Sequence, residues 1–495
     1  MFSIKRDMKF KGDKVLWSVI VMLMLVSVMV IYSSTGSLAY RERDGNTTYY
    51  LLKQIGLFLG CFGVLFVMQK INYRYFTKYA GTCLLIAAAL LLFAAFGGTS
   101  INGAGRWVRI PLVGLTFQPS ELAKIAIIMY VAKLLTFAQN DRNCDDSVLS
   151  QFWQPGIVIL LIFHDNISTA LLVSLVCFLM LVVARLRWKL LGKIVLIGVL
   201  IGGLGGGALL SIPQDSLEKM ASGVPMLKRL PTARSRIVSF FSNKEGNDDH
   251  LFQSNQAKIA VAKGGLMGRG PGNGMARNVL PHSYSDFAYA IIIEEYGLVG
   301  GGFVMLLYLI ILFRIGVIVR RCTRIYPALL VTGLGLTIVL QGMVNMGVCV
   351  GLFPVTGQTL PLVSMGGTSL LFTSAAFGMI LSVARSFSEE GEVEGEELAG
   401  EKSRAGSGPE DAEEREYNDP EDGYGENEMV EELVEEPVQS TGRRRGRQQT
   451  EREGMLEDDI EVIGDKGLDP VEEELEASGR EVLKELKRRG RRGMD

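Results

Sequence analysis

Ten apolar runs, each about 17–20 residues long, occupy this chain up to Arg385, and no such run follows. A run of that length matches the hydrocarbon thickness of a bilayer. At that depth the backbone must satisfy its own polar groups, so each run reads as a helix. The runs fall at about 15–34, 53–70, 79–96, 120–137, 152–168, 169–185, 193–211, 300–319, 327–346 and 367–385. Pro155 opens the fifth, and His164-Asp165-Asn166 cuts it short. If those three residues turn, the fifth and sixth runs form a tight hairpin. The expected fold class is an all-α polytopic membrane protein, with ten transmembrane helices over residues 15–385 after a short cytoplasmic segment, 1–14.

Charge sets the orientation. Lys5, Arg6, Lys9, Lys11 and Lys14 precede the first run, and Lys70, Arg74 and Lys78 separate the second and third. Arg185, Arg187, Lys189 and Lys193 follow the sixth, and Arg314, Arg320, Arg321 and Arg324 follow the eighth. Basic residues concentrate on the cytoplasmic side, which places both termini inside. The acidic loop Asp141-Arg142-Asn143-Cys144-Asp145-Asp146 runs against that pattern. The large polar loop, about 211–299, then lies outside. So do the loops holding Arg106-Trp107 and Pro354-Val355-Thr356-Gly357, and the three converge on one face.

The formal net charge of −2 hides a division of the chain. From Ser386 onward there are 36 acidic and 16 basic residues, against a net +18 before it. Such a segment, 386–495, has little to bury and is expected to be a mostly disordered cytoplasmic tail. A short helix over Glu481–Arg489 is compatible with it. Its basic islands near Arg443 and Lys487 read either as solvated or as docking points for cytoplasmic partners or anionic lipid.

Four of the six cysteines fall inside apolar runs, and Cys144 and Cys322 fall in loops assigned to the inside, so no disulfide is expected. The three histidines are scattered, and neither a metal-ligand spacing nor a Ser-His-Asp arrangement is visible. The run Gly264–Gly274 lacks the Gly-Lys-Ser/Thr ending of a phosphate loop, so its glycines read as allowing tight turns and a close backbone approach to a ligand. Gly202-Gly203-Leu204-Gly205-Gly206-Gly207 reads as a site of close helix packing or of a flexible helix.

Three stretches remain as candidates for chemistry. In Leu280–Ala290, Asp286 is a lone carboxylate between aromatic residues. Ser285 or Asp286 would cap the following helix, or Asp286 would serve as a general base beside apolar surroundings. In Asn102–Lys124, Pro119 and Ser120 look like a helix start, and Glu121 and Lys124 stand three residues apart on one face. They are either a structural ion pair or a costly charge kept for function. Arg106, Arg109 and Lys124 together suit an anionic group such as a pyrophosphate, while Trp107 also suits an interfacial anchor. In Gly351–Leu371, two prolines and four glycines interrupt apolar sequence, as in a re-entrant segment lining a groove.

At these stretches the chain resembles the SEDS family (shape, elongation, division and sporulation), and its division branch more than its elongation branch. The resemblance covers about residues 15–385. It is carried by Gly105-Arg106-Trp107-Val108 with Phe117–Lys124, by Ser285-Asp286-Phe287 with Glu294-Glu295-Tyr296-Gly297, and by Pro354–Gly357 with Leu360–Ser369. Gln341 and Asn345 also stand where the family has them.

The resemblance implies a GT-C-like fold and a peptidoglycan glycosyltransferase that polymerises lipid II outside the cytoplasmic membrane, at the division septum. It implies a class B penicillin-binding transpeptidase and other divisome proteins as partners, and no nucleic acid. The family's essential aspartate aligns with Asp286, which would deprotonate the acceptor sugar. Arg106, Lys124 and Arg269 are candidates to neutralise the departing undecaprenyl pyrophosphate, with Trp107, Glu121, Gln341 and Asn345 as further substrate-binding candidates. No cofactor is required, although a divalent cation, magnesium or manganese, is compatible with the chemistry. The chain departs from the family at His282 and Tyr284, where the family has Glu and His, and at His164-Asp165-Asn166. A lipid II flippase, a scaffold that recruits the transpeptidase, and the elongation counterpart are the competing readings.

Overall fold

The computed structural model describes residues 12–34, 47–97, 99–101, 104–109, 116–140, 151–223, 230–241, 249–280 and 284–406. Expectations for the tail from 407 onward, for the loop 141–150 and for His282 fall outside the described residues.

The elements in order are α1 Lys14–Ser34, α2 Thr47–Lys70 and α3 Tyr73–Gly97, then strands β1 Thr99–Ile101, β2 Ala104–Arg109 and β3 Thr116–Phe117. Next come α4 Pro119–Asn140, α5 Trp153–Asp165, α6 Ile167–Val183 and α7 Trp188–Ser211. The polar loop holds α8 Gln214–Gly223, α9 Leu230–Phe241, α10 Asp249–Gly264 and α11 Ala276–Val279. The last elements are α12 Ala288–Arg321, α13 Ile325–Cys349 and α14 Gly367–Gly406.

Each of the ten expected runs falls on one of α1–α7 and α12–α14. Six helices are long and apolar enough to cross a membrane by length and composition: α1, α2, α3, α12, α13 and α14. Large apolar side chains such as Leu59, Leu85 and Trp188 are exposed on the outer faces, as a lipid-facing exterior requires. Three features depart from the expectation. A small antiparallel sheet joins α3 to α4, with Thr99 opposite Trp107 and Val108 opposite Phe117. Helix α12 starts at Ala288, well before the apolar run at about 300. Helix α14 continues past Arg385 to Gly406. The five described cysteines are all free.

The tight hairpin forms. Asn166 alone separates α5 from α6, in an extended conformation, and its side chain accepts from the Ser168 and Thr169 amides at 3.1 and 3.3 Å. That caps the new helix and satisfies its first donors.

Close packing occurs at glycines other than those expected. A Cβ on Gly342 would lie 2.7 Å from the Tyr308 ring, and one on Gly378 would lie 2.6 Å from the Leu65 carbonyl. These contacts pack α13 on α12 and α14 on α2, where only glycine lets the backbones approach. Gly203 and Gly207 in α7 have open space around them instead.

In the run Gly264–Gly274 the expected tight turns form, with Gly265, Gly268, Gly270 and Gly272 at positive φ. Helix α12 breaks at Gly297, which takes φ +71° and ψ −172°, a conformation open to glycine alone. The break orphans main-chain groups, and the glycine run replaces their partners. The Arg269 and Gly270 amides donate to the Glu294 and Glu295 carbonyls at 3.0 and 2.9 Å, and the Leu298 amide donates to the Gly265 carbonyl at 2.9 Å. A close backbone approach is made to the broken helix.

Candidate active site

The segment from Val350 to Gly366, between α13 and α14, is irregular yet largely buried. Irregular backbone away from water must find partners for its carbonyls. Side chains of three helices supply them. Asn345 Nδ2 donates to the Gln358 carbonyl at 2.7 Å, and Gln341 Nε2 to that of Thr359 at 3.0 Å. Tyr308 Oη donates to the Pro361 carbonyl at 2.5 Å, and Ser27 Oγ to that of Val363 at 2.6 Å. The re-entrant expectation is met by a loop clamped at four successive points.

The same loop holds the Asp286 turn. Asn345 Nδ2 donates a second time, to the Asp286 carbonyl at 2.8 Å. Ser364 Oγ donates to the Ser285 carbonyl at 2.5 Å, and the Met365 amide to the Tyr284 carbonyl at 2.9 Å. The N-cap of α12 is Phe287, so neither Ser285 nor Asp286 occupies the cap position.

What faces the Asp286 carboxylate is Arg236, from α9. A Cβ on Gly357 would meet Asp286 Oδ2 at 3.7 Å and Arg236 Nη2 at 3.7 Å, so acid and guanidinium reach the same point over that glycine. Arg236 is itself tied to the loop, its Nη1 donating to the Thr356 carbonyl at 3.1 Å. Gly357 takes φ +66°, which favours glycine, and its lack of a side chain leaves the space over it open. Both charged side chains are half-buried.

Glu121 and Lys124 form the ion pair that their spacing suggested, at 2.9 Å, and both are largely buried. Lys124 also donates to Gln341 Oε1 at 2.9 Å, and Glu121 accepts from Ser369 Oγ at 3.3 Å. Ser120 lies inside the first turn of α4, after Pro119, rather than at its cap. These groups line a narrow cleft that ends at Pro361 of the clamped loop.

The candidate residues thus separate into three groups. Asp286, Asn345, Gln341, Lys124 and Glu121 belong to one connected network. Within it Asn345 gives both amide N–H groups to the Asp286 and Gln358 carbonyls, and Gln341 gives one to Thr359, so these residues position the loop and the Asp286 turn. Arg269 is exposed, its main chain serves the α12 break, and nothing among the described residues links it to Asp286. Arg106 and Trp107 stand on β2, and their side chains fall outside the described ones.

Sequence reasoning missed Arg236. No sequence signal separates it from the nine other basic residues of the 211–299 loop. Among the described residues no three His, Cys, Asp or Glu side chains gather to hold a metal ion.

Residues 13–389 match the model of a family described as cell cycle protein, FtsW/RodA/SpoVE. The probable peptidoglycan glycosyltransferase FtsW of Hydrogenovibrio crunogenus is 32% identical over 375 residues, covering 74% of this chain and 90% of that protein. The rod shape determining protein RodA of Thermus thermophilus, a crystal structure, aligns with a TM-score of 0.50 at 25% identity over 76% of this chain and 97% of its own. A structure described as showing coordination of polymerization and crosslinking by a peptidoglycan synthase complex aligns with a TM-score of 0.58 at 24% identity, over 76% and 98%.

Proposed function

The chain belongs to the FtsW/RodA/SpoVE family of cell cycle proteins, and from that premise we propose that it is a multi-pass membrane peptidoglycan glycosyltransferase with Asp286 as its general base. The observation that carries this reading is the meeting of Asp286 and Arg236 over Gly357, on a turn locked by Asn345 and Ser364. Asp286 accepts the proton of the acceptor sugar's 4-hydroxyl. The freed oxygen attacks the anomeric carbon of the lipid-linked strand, and the bond from that carbon to the pyrophosphate oxygen breaks. The leaving undecaprenyl pyrophosphate is negative, and Arg236, which approaches Gly357 together with Asp286, is the cation proposed to neutralise it. Lys124, already paired with Glu121, stabilises the floor of the cleft.

Lipid II is the donor and acceptor unit in this reading, and a class B penicillin-binding transpeptidase is the partner. The termini and the basic loops face the cytoplasm, the Asp286 turn faces outward, and the protein acts at the division septum. Strand polymerisation from labelled lipid II, by the purified chain with its cognate transpeptidase, tests the proposal. Asp286→Asn keeps the shape of the side chain and removes the base. The expected result is loss of polymer with an unchanged melting temperature. Polymerisation by the variant at the wild-type rate would overturn the role of Asp286.

A further inference from the structure

Two basic loops about 250 residues apart in the chain meet in the fold. Arg74 and Lys78 lie one turn apart at the start of α3, and Arg324 stands at the N-cap of α13. With Tyr73, Thr77 and Tyr326 they line a cavity of about 600 Å³. All three cations are exposed, and the ion pairs among the described residues involve none of them. No carboxylate is among the residues lining the cavity. Tyr73, itself buried, keeps a hydroxyl without a hydrogen-bond partner in the same wall. Three exposed cations with no carboxylate beside them are a donor set for phosphate oxygens.

The surroundings favour a lipid as the source of that phosphate. Tyr75 and Tyr79 are exposed beside the cavity on α3, where aromatic residues mark a membrane–water interface. Farther along the same helix Leu85, Ile86 and Phe93 are exposed, an apolar track suited to acyl chains. We propose that this cavity binds the phosphate headgroup of an anionic phospholipid, at the face that the charge pattern assigns to the cytoplasm. It is lined by other residues than the Asp286 site and does not depend on the activity proposed there.

Native mass spectrometry of the full chain, titrated with cardiolipin or with phosphatidylcholine, reads this directly. Wild type should hold cardiolipin in preference to phosphatidylcholine. The R74Q/K78Q/R324Q variant should bind cardiolipin at least tenfold more weakly, with its phosphatidylcholine adducts unchanged. Lys263→Gln, an exposed cation on α10, should bind as wild type does. Should the triple variant fail to fold, Lys78→Glu at an exposed position carries the same test, with a severalfold loss expected. Equal cardiolipin binding by wild type and variant overturns the proposal. So does full displacement of cardiolipin by millimolar inorganic phosphate, which marks a site for a free anion instead.

Discussion

The side-chain amide of Asn345 donates to the main-chain carbonyl of Asp286 at 2.8 Å, and the same nitrogen reaches the Gln358 carbonyl at 2.7 Å. One buried residue of α13 therefore sets both the turn that carries the carboxylate and the loop beneath it. Asn345→Ala removes the donor to the Gln358 carbonyl and leaves the Asp286 carbonyl only the weak Cys349 thiol, at roughly 1–3 kcal/mol for an unsatisfied group. A displacement of about 1 Å at a reacting group can lower a rate about 100-fold. Polymerisation should fall by that order while the melting temperature drops by only a few degrees. Measuring both on one preparation distinguishes misplacement from unfolding.

Arg236→Gln removes the cation that faces Asp286. Loss of one electrostatic group aimed at developing charge lowers turnover by about 100–1,000-fold. Because Arg236 sits half-buried on a short loop helix, stability should change little. Arg236→Lys should restore only part of the rate, since a lysine cannot hold the Thr356 carbonyl and a phosphate through one planar fork. Turnover with the partner transpeptidase present is the measurement, and a fully active Arg236→Gln would remove this residue from the mechanism.

Two glycine substitutions should behave in opposite ways. Gly297→Ala forces a side chain into a conformation that costs of order 1–3 kcal/mol. It also places a carbon against the Leu266 carbonyl. The melting temperature should fall sharply, along with yield. Gly203→Ala meets open space in the middle of α7. Replacing glycine by alanine inside a helix gains up to about 1 kcal/mol, so that variant should melt at or above the wild-type temperature.

Asp13→Asn tests the opposite end of the molecule. Asp13 Oδ1 accepts from the Leu16 amide at 2.9 Å at the start of α1, and both its oxygens accept from Arg314 on α12. An asparagine can keep the first contact but not the charge-assisted pair. Loss of roughly 2 kcal/mol is expected, read as a lower melting temperature with polymerisation retained at low temperature. The partial exposure of Arg314 keeps the figure below that of a fully buried pair.

The helices were legible because their signal is local. A long apolar run in α1 or α13 reports its own thickness against the bilayer, whatever it packs on. The apolar run at about 300 marks only the later part of α12; its first turns, expected as the helix that follows Asp286, pack against the glycine run that precedes them, so hydropathy alone marks only the lipid-facing part. The ion pair of Glu121 and Lys124 was legible for the same local reason, being three residues apart on one helix. Gln341 and Asn345 were legible as polar residues in an apolar helix, but their hydrogen bonds run to Thr359, Gln358 and Asp286. Those partners come into reach only when the 350–366 loop folds back into the bundle.

By itself, the sequence of this protein determined how many apolar runs there are, their helical state and the split between basic body and acidic tail. All of these follow from composition within a window of about 20 residues. Tertiary structure alone decided which cation meets Asp286, which side chains hold the buried loop, and where glycines must let backbones touch. Those relationships join residues as far apart as Ser27 and Val363. The physical reason is that a buried polar group must find its partner in space, and the chain can supply that partner from any helix that passes.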